Sequence, residues 1–354
     1  MLTTQLKYSE LFCGPGGMTL GAKMASDEHS EIKIKHLWAT DYDKDACKTY
    51  SYNICGSLDD KSVICIDVRK LNFEELEHPD ILSFGFPCND FSLVGEQKGI
   101  DGEFGPLYKY GVNGLDIFNP LVFVAENVSG IQSSNNGNSF KQILKDLENA
   151  GNGYNLNVNH YYFENYGIPQ SRHRIVIVGF RKDSGLNFTV PEETHNKDNY
   201  VTCKDAISLN PLTKDSLNNE LTKNTETVVE RLSKIPEGKN IWNVQDDKDF
   251  PKHLKLNVKR AKLSQIYKRL DSNKPSYTVT GSGGGGTHIY HWKDDRSLTN
   301  RERARLQTFP DDHYFIGSKE SVRKQIGMAV PVQGSKIIFK SILDTISNKK
   351  YHIK

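Results

Sequence analysis

The sequence places a cysteine, Cys88, in a proline-containing segment, Gly85-Phe86-Pro87-Cys88-Asn89-Asp90-Phe91-Ser92, after the apolar run Ile81–Phe84. Such a run predicts a buried strand, and a loop at the end of a parallel strand faces the crevice where ligands bind. As a thiolate, Cys88 would be a strong nucleophile. The alternative is a small core residue, which is the commoner role of a free cysteine.

A carboxyl group follows another apolar run. Glu126 stands directly after residues 121–125, which predict a parallel strand, so its side chain would face the same crevice as Cys88. Partial desolvation would raise the pKa of this carboxyl group and let it donate a proton to a reacting group. A glutamate that caps a helix is the alternative.

Two arginines precede the apolar run 175–180, in the segment Gln170-Ser171-Arg172-His173-Arg174. Alternation along one strand would place Arg172 and Arg174 on one face with Gln170 beside them. Two guanidinium groups and an amide suit a carbonyl oxygen or a phosphate. A surface row of salt bridges is the alternative, and the adjoining apolar run counts against it because it indicates a central strand.

A glycine-rich turn, Phe12-Cys13-Gly14-Pro15-Gly16-Gly17, separates a predicted first strand from a predicted helix. At such a turn a nucleotide-like ligand meets the helix N-terminus, and glycines keep side chains out of its path. Simple turn geometry is the alternative. The sequence carries no Walker-type lysine, so triphosphate binding is disfavoured, whereas S-adenosylmethionine and NAD both fit.

Two aspartates stand at the ends of the next predicted strands. Asp41 follows residues 34–40, and Asp67 follows residues 63–66. An acid at the end of the second strand can accept hydrogen bonds from ribose hydroxyls, and one after the third strand can meet an adenine amino group. Helix N-caps are the alternative roles of both residues.

Short apolar runs alternate with helix-like segments in the first half of the chain. The predicted strands are 6–12, 34–40, 63–66, 81–84, 121–125, 154–162 and 175–180, and the predicted helices are 19–25, 44–53 with Asp43 as N-cap, and 140–148. This alternation predicts an α/β fold with a doubly wound, mostly parallel sheet. From about residue 182 to 274 the chain is rich in Asn, Lys, Asp, Thr and Ser, which indicates a second, smaller domain with long loops.

The composition excludes several classes of protein. The chain has 354 residues, enough for two domains, with 36% hydrophobic and 25% charged residues. No run of 18 apolar residues predicts a membrane span. None of the six cysteines forms a CxxC pair, so neither a metal site nor a disulfide framework is expected. Reduced cysteines and an N-terminus unlike a signal peptide predict a cytoplasmic protein.

The net charge is only +2, so nucleic-acid binding must be argued from the distribution of charge. Residues 252–274 contain eight Lys or Arg against one Asp, and the glycine-rich segment 278–288 follows. Backbone amides of such a loop can approach phosphates closely, so the pair predicts a surface that faces a polyanion. A solvated helix face and a flexible linker are the alternatives.

Together these segments resemble the DNA (cytosine-5) methyltransferase family of restriction–modification systems, over nearly the whole chain. The family's motifs occur in order as residues 12–17, 87–92, 126–128, 170–174, 296–310 and 327–331. Two positions depart from the family pattern. Asn89 stands where the family usually has Gln, and Met328 stands where it usually has Asn.

The resemblance implies a set of site residues. The catalytic residues would be Cys88, Glu126, Arg172 and Arg174. The residues that bind S-adenosylmethionine would be Phe12, Gly14, Gly16, Gly17, Asp41, Tyr42, Asp67, Val68, Pro87, Met328 and Ala329. The residues that bind the DNA substrate would be Phe86, Asn89, Ser92, Asn127 and Gln170.

The resemblance also implies a domain organisation and partners. Residues 1–183 would form the S-adenosylmethionine-dependent methyltransferase domain, 184–319 a target-recognition domain, and 320–354 a segment returning to the catalytic domain. Double-stranded DNA would be the substrate, with base flipping into the crevice under a lid formed by residues 93–105. A cognate restriction endonuclease would act separately, and a monomer is expected.

In the implied reaction, the Cys88 thiolate attacks carbon 6 of cytosine, Glu126 protonates N3, and Arg174 binds O2. Arg172 and Gln170 would orient the base and its phosphate surroundings, and carbon 5 would take the methyl group of S-adenosylmethionine. A transfer-RNA methyltransferase of the same family is the first alternative, and the long region before residue 296 favours a reader of duplex DNA. A non-catalytic DNA-binding relative and a dinucleotide-dependent oxidoreductase are the others.

Overall fold

The structure is a computed structural model that describes residues 4–86, 107–257, 265–281, 283 and 286–347, with the side chains of 133–136 left aside. The predictions for Pro87, Cys88, Asn89, Ser92 and the loop 93–105 therefore lie outside the described residues. Within the described part of the chain, no helix is both long and apolar enough to cross a membrane.

The described strands and helices follow the predicted alternation closely. The strands are β1 (Thr4–Leu11), β2 (Ile32–Asp41), β3 (Val63–Cys65), β4 (Ile81–Phe84), β5 (Val122–Val128), β6 (Tyr154–Tyr162), β7 (Gln170–Ser171), β8 (His173–Arg181) and β9 (Ser276–Tyr277). The helices are α1 (Gly17–Glu28), α2 (Lys44–Tyr50), α3 (Tyr108–Phe118), α4 (Asn138–Asn149), α5 (Cys203–Ser208), α6 (Glu226–Ser233), α7 (Asn300–Leu306), α8 (Lys319–Met328) and α9 (Val332–Ile346).

A seven-stranded sheet with the order β3-β2-β1-β4-β5-β8-β6 forms the centre of the first half. β1 to β5 pair in parallel, whereas β8 runs antiparallel to both β5 and β6. The chain winds outward from β1 in both directions, so ligands are expected at the carboxyl ends of β1 and β4, where the order reverses. This confirms the predicted doubly wound, mostly parallel α/β fold.

Apolar strands and capped helices explain why this sheet forms. All four residues of β4 are buried, as a parallel strand covered on both faces requires. The side chain of Asp43 accepts hydrogen bonds from the backbone N–H groups of Asp45 and Ala46, which confirms it as the N-cap of α2. Gly21 of α1 lets α9 approach, because a Cβ there would lie 2.5 Å from Cβ of Ser335.

The chain divides into two compact units. The first unit comprises Met1–Tyr162, His173–Glu192 and Val332–Lys354, and the second comprises Phe163–Arg172 and Glu193–Pro331. The second unit has its own apolar core, which includes Leu232, Ile241 and Tyr290. The chain passes between these two units at positions other than 183 and 319. The functional boundaries at 183 and 319 therefore stay predictions.

The segment that carries Gln170, Arg172 and Arg174 does not form one strand. β7 pairs with β9 in the second unit, and β8 begins at His173 in the seven-stranded sheet of the first unit. The prediction that alternation places the three side chains on one face is therefore wrong, because the ladder is interrupted at Arg172.

The basic stretch 252–274 is only partly described, since residues 258–264 lie outside the description. Arg269 is buried and binds Asp295 at 2.7 Å, and Lys274 pairs with Asp271 at 2.9 Å. Nζ of Lys268 lies 4.8 Å from the centre of the Tyr277 ring. These three cations have partners within the protein, so they do not support the predicted polyanion-facing surface.

Candidate active site

An ion pair joins two of the predicted catalytic residues at the carboxyl end of β5. Nε of Arg174 lies 2.9 Å from Oε1 of Glu126, and both side chains are 13% exposed. The antiparallel register pairs Glu126 with Val176 and Arg174 with Val128, so the two side chains are diagonal neighbours on one face. The sheet thus places a carboxylate and a guanidinium at one point with limited access to water.

The chain before Cys88 runs beside this ion pair. A Cβ atom at Gly85 would lie 3.6 Å from Oε2 of Glu126, so the carboxylate faces the backbone at the end of β4. Asn127 is buried and donates from Nδ2 to the carbonyl oxygen of Phe86 at 3.2 Å. Asn127 therefore joins the end of β5 to the residues that lead into the predicted nucleophile.

Phe86 was predicted to contact the substrate, but its side chain lies in the hydrophobic core. Its ring packs 6.2 Å from that of Tyr108 between ring centres. The contribution of Phe86 at this edge is thus its carbonyl oxygen, and that of Asn127 is the amide that holds it. The hydrogen bond between Asn127 and Phe86 therefore fixes the chain just after β4, and the residue types alone do not predict this bond.

The glycine-rich turn after β1 has the geometry of a ligand cradle. Gly14 and Gly16 have φ angles of 53° and 90°, a conformation that favours glycine. A Cβ at Gly14 would meet nothing within 4 Å, whereas one at Gly16 would lie 3.1 Å from the Tyr50 ring. Space is therefore open above Gly14, while Gly16 packs closely on α2.

Asp41 holds this turn in place. Its Oδ2 accepts a hydrogen bond from the backbone N–H of Gly14 at 2.9 Å, and its Oδ1 accepts one from Asp43 at 2.9 Å. Burial raises the pKa of the Asp41 carboxyl above its usual range, and these backbone N–H groups partly oppose that shift. The Asp41 carboxyl thus couples the turn after β1 to the turn after β2.

The N-terminus of α1 has no side-chain cap from its N-cap residue. Gly16 is its N-cap and offers no side-chain hydrogen bond, and the described first turn contains no acidic residue. Backbone N–H groups at such a terminus favour a carboxylate. The turn 14–17 and the first turn of α1 therefore present backbone N–H groups of the kind that bind a carboxylate, and the ring of Tyr42, next to Asp41 in sequence, is exposed.

Asp67 is a helix N-cap, which is the alternative role given for it in the sequence analysis. Its carboxylate accepts a hydrogen bond from the backbone N–H of Arg69 and forms a bidentate pair with the Arg69 guanidinium, at 2.6 to 3.0 Å. These contacts lower the pKa of Asp67 to about 2. The neighbouring Val68 is buried. The predicted contact of Asp67 with an adenine amino group stays a prediction.

A buried polar network lies behind the turn. Oε2 of Glu10 accepts hydrogen bonds from the hydroxyls of Thr19 and Tyr8, and Thr19 Oγ1 lies 2.8 Å from the Tyr50 hydroxyl. Tyr8 also contacts the Ser83 hydroxyl. Burial raises the pKa of Glu10 to about 8. The carboxyl group is therefore mostly neutral at pH 7 and links β1 to α1, α2 and β4.

Gln170 and Arg172 belong to the second unit. Nε2 of Gln170 donates to Leu306 O and Gln307 Oε1, and its Oε1 accepts from the backbone N–H of Val279 at 2.7 Å. Nη1 of Arg172 donates to the carbonyl oxygens of Val279 and Gly327, at 3.1 and 3.2 Å. Both side chains thus hold backbone segments, and their predicted substrate and catalytic contacts have no support in these bonds.

The residues predicted to line the cofactor from the C-terminal motif also lie in the second unit. Met328 is 60% exposed at the end of α8, and Ala329 is buried. A Cβ at Gly327 would clash with the backbone of Thr280 and Gly281, so only glycine fits there. The side chain of Met328 is therefore free of the packing that fixes its neighbours.

The sequence analysis did not single out a cluster of rings at the edge of the sheet. Tyr162 lies 4.6 Å from both His160 and His173 between ring centres, and Ser129 Oγ lies 2.6 Å from Nε2 of His160. Burial and the nearby His173 lower the pKa of His160. Alternation of His160 and Tyr162 along β6 was visible in the sequence, but their pairing with β8 was not.

Comparisons with known proteins identify the family of this chain. The family model of the C-5 cytosine-specific DNA methylase matches residues 6–344. The type II methyltransferase M.BbvI of Brevibacillus brevis is 53% identical over 98% of this chain and 93% of its own length. The type II methyltransferase M.NgoFVII of Neisseria gonorrhoeae is 41% identical over 97% of this chain and 87% of its own length.

A solved structure supports the fold. It is described as a DNA modification methyltransferase encoded within a prophage of E. coli, and it superposes with a TM-score of 0.73 at 22% identity, covering 97% of this chain and 99% of its own. The family match spans nearly the whole chain and confirms the resemblance seen in the sequence. This chain therefore belongs to the C-5 cytosine-specific DNA methylase family and is a DNA (cytosine-5-)-methyltransferase.

Proposed function

We propose that this enzyme transfers a methyl group from S-adenosylmethionine to carbon 5 of cytosine within a short, specific sequence of double-stranded DNA. The observation that carries the proposal is the Glu126–Arg174 ion pair, which faces the backbone at Gly85, three residues before Cys88. The type II methyltransferases among its relatives support a role in a restriction–modification system. The cognate endonuclease would act as a separate protein, and the methyltransferase would work as a cytoplasmic monomer.

The nucleophile is needed because carbon 5 of cytosine reacts poorly while the ring is aromatic. Addition of the Cys88 thiolate to carbon 6 breaks the aromaticity, and negative charge then develops toward N3. Glu126 enters this step as the neutral carboxyl group and gives its proton to N3, after which Arg174 stabilises the carboxylate that remains. Carbon 5 thereby becomes enamine-like and nucleophilic. A general acid at this point is worth roughly 10²- to 10⁴-fold in rate.

Arg174 serves both the carboxyl group and the base. Its Nε holds Glu126 in place at 2.9 Å, and its remaining N–H groups suit the carbonyl oxygen O2 of cytosine. A guanidinium at O2 draws electron density away from the ring and helps the thiolate add. A base such as water then takes the carbon 5 proton, the Cys88 thiolate leaves, and N3 returns its proton to Glu126, which restores the aromatic ring.

S-adenosylmethionine, when bound, supplies an electrophilic methyl group on a sulfonium sulfur. The turn 14–17 and the N-terminus of α1 would hold its carboxylate, with Asp41 fixing the turn through the Gly14 N–H. Asn127 would keep the segment that leads to Cys88 at the same edge through its bond to Phe86 O. The base must leave the duplex to reach these groups, so the proposal includes base flipping.

Methyl transfer from radiolabelled S-adenosylmethionine to unmethylated genomic DNA and to total RNA, measured in parallel, tests the proposal. Bisulfite sequencing of the DNA would then locate the product. We expect label in DNA at one short repeated sequence and none with Cys88→Ser. Label in RNA alone would contradict the proposal and favour the transfer-RNA branch.

A further inference from the structure

Helix α7 carries three arginines whose partners differ, and two of them, Arg301 and Arg303, are buried. Arg305 forms a bidentate pair with Asp311, at 2.8 and 2.6 Å. Arg301 donates to the oxygens Leu217 O, Pro310 O, His313 O and Asn218 Oδ1. Arg303 contacts only Nδ1 of His288, at 3.5 Å, and its buried Nη1 has no hydrogen-bond partner within the described chain. Arg303 is thus the exception on its own helix.

The position of Arg303 is costly for the folded protein. Its side chain is 1% exposed, and burial lowers the pKa of its guanidinium to about 10. The group therefore remains a cation at neutral pH, in a place where an unpaired charge is strongly unfavourable. Buried polar groups are normally hydrogen-bonded, so a buried cation whose Nη1 has no acceptor among the described residues indicates an acceptor that these residues do not supply.

A second guanidinium lies beside it. Arg323 of α8 donates from Nη2 to Gly283 O at 3.0 Å, and its buried Nε has no hydrogen-bond partner among the described residues. Its carboxylate neighbour is the exposed Glu320, at 3.8 Å. The pKa of His288 is lowered to about 4, mainly by burial and to a lesser extent by the charges of Arg303 and Arg323. Two cations and one neutral imidazole therefore lie close together here.

Gly283 packs against this cluster. A Cβ at Gly283 would lie 2.5 Å from Nε of Arg323, so any side chain there would occupy the space in front of the guanidinium. Gly283 and His288 are half-buried and Arg323 is partly exposed, whereas Arg303 closes the inner end. The cluster therefore reaches solvent through the side chain of Arg323, which is 13% exposed.

We propose that Arg303, Arg323 and His288 form an anion site in the second unit, and that it takes one phosphodiester group of the bound DNA. Among the described residues, neither guanidinium group has a carboxylate within hydrogen-bonding distance, so the ligand would supply both the acceptors and the negative charge. Base edges are uncharged, which favours a phosphate over a base. The choice of DNA as its source rests on the proposed function.

Inorganic phosphate probes the site without DNA. We compare melting temperatures of the full-length enzyme in potassium phosphate and in potassium chloride of equal ionic strength, for wild type and for Arg303→Met. Because phosphate stabilises proteins in general, the readout is the difference between the two proteins. We expect a saturable, phosphate-specific rise only in the wild type.

Arg303→Met also separates a binding role from a structural one. Removal of an uncompensated buried charge should raise the melting temperature in chloride by a few degrees, roughly 2–4 °C. A lower melting temperature in chloride, together with an unchanged response to phosphate, would overturn the proposal, since it would mean that the cation serves the fold.

The salt dependence of DNA binding tests the source of the phosphate. Arg303→Met and Arg323→Gln should each weaken DNA binding and reduce the slope of log affinity against log salt by about 0.9, the value for one phosphate. Arg305→Gln, which removes a paired arginine of the same helix, should keep the slope. Unchanged slopes in both site variants would exclude a DNA phosphate even if inorganic phosphate binds.

These outcomes stay distinct from those of the proposed function. If the wild-type enzyme methylates DNA and both site variants keep the salt slope, the proposed DNA-phosphate site is contradicted. The methyltransferase assignment then remains intact. If no label appears in DNA, the methyltransferase assignment is contradicted. The effect of phosphate on the melting temperature of the wild type would still test whether the anion site exists.

Discussion

The guanidinium of Arg174 reaches Glu126 diagonally across two antiparallel strands, with 2.9 Å between Nε and Oε1. This contact exists because β8 enters the sheet next to β5 with Val128 opposite Arg174. The antiparallel strand β8 thus brings the cation of residue 174 to the carboxyl end of β5, which pairs in parallel with β4 on its other side. The expected reaction needs both groups at that point.

Cys88 should form a covalent bond with the target base. DNA that contains 5-fluorocytosine at the target cannot lose its carbon 5 substituent as a proton, so the adduct should persist after methyl transfer. We expect a protein–DNA band that survives denaturant in wild-type enzyme, seen by gel electrophoresis. The same band in Cys88→Ser would disprove the role of this residue.

Arg174→Lys should slow methyl transfer by about 10²- to 10³-fold, since lysine keeps the charge but loses the planar fork. Single-turnover kinetics with saturating DNA measures this. Arg181→Lys is the matched control, because Arg181 lies at the other end of β8 and pairs with Asp183. Equal rates for the two variants would mean that the Glu126–Arg174 pair has no part in the reaction.

Asn127→Ala should lower both stability and rate. It leaves the carbonyl oxygen of Phe86 without its amide donor, which should cost about 1–3 kcal/mol in the free energy of unfolding. We expect a lower midpoint in urea unfolding and about a tenfold slower methyl transfer. Asn149→Ala, which removes an exposed bond to Lys145 O, should change stability by less than about 0.5 kcal/mol. A rate like wild type would contradict the positioning role.

Glu10 should make the protein less stable as the pH rises. Its pKa is about 8 in the folded state because of burial, above its value in the unfolded chain, so the folded state binds more protons between the two values. Stability therefore falls as the pH rises through this window and levels off above about 8.

Glu10→Gln should remove this dependence, since the amide stays neutral. Thermal melts from pH 6 to pH 9, with S-adenosylmethionine affinity measured by calorimetry at each pH, check it. Glu28→Gln is the control, because Glu28 is exposed and its pKa is lowered by Lys336, so its contribution to stability is lost only on acidification. Parallel pH profiles for wild type and Glu10→Gln would refute the effect.

Gly327→Ala should destabilise the second unit severely. A methyl group at this position would overlap the backbone of Thr280 and Gly281, and backbone cannot move aside as a flexible side chain can. We expect a melting temperature lower by at least several degrees. Met328→Ala at the exposed neighbouring position should melt like wild type, and similar melting of the two variants would contradict the close approach.

Local patterns in the sequence determined the fold and the family. Strands such as Ile81–Phe84 and Tyr154–Tyr162 were predicted with the observed bounds, because apolar runs and flanking turns act over a few residues. The Asp43 cap was predicted for the same reason. The ordered motifs predicted the residues that carry the chemistry, and the family match confirms the family.

The tertiary structure alone decided which partners these residues have. Arg172 and Arg174 are two residues apart, yet one holds Val279 and Gly327 while the other meets Glu126. Asp41 and Asp67 occupy similar positions after strands, but only Asp41 binds the glycine-rich turn. Partners of this kind are set by strand register and by segments distant in sequence, and local periodicity carries no information about either.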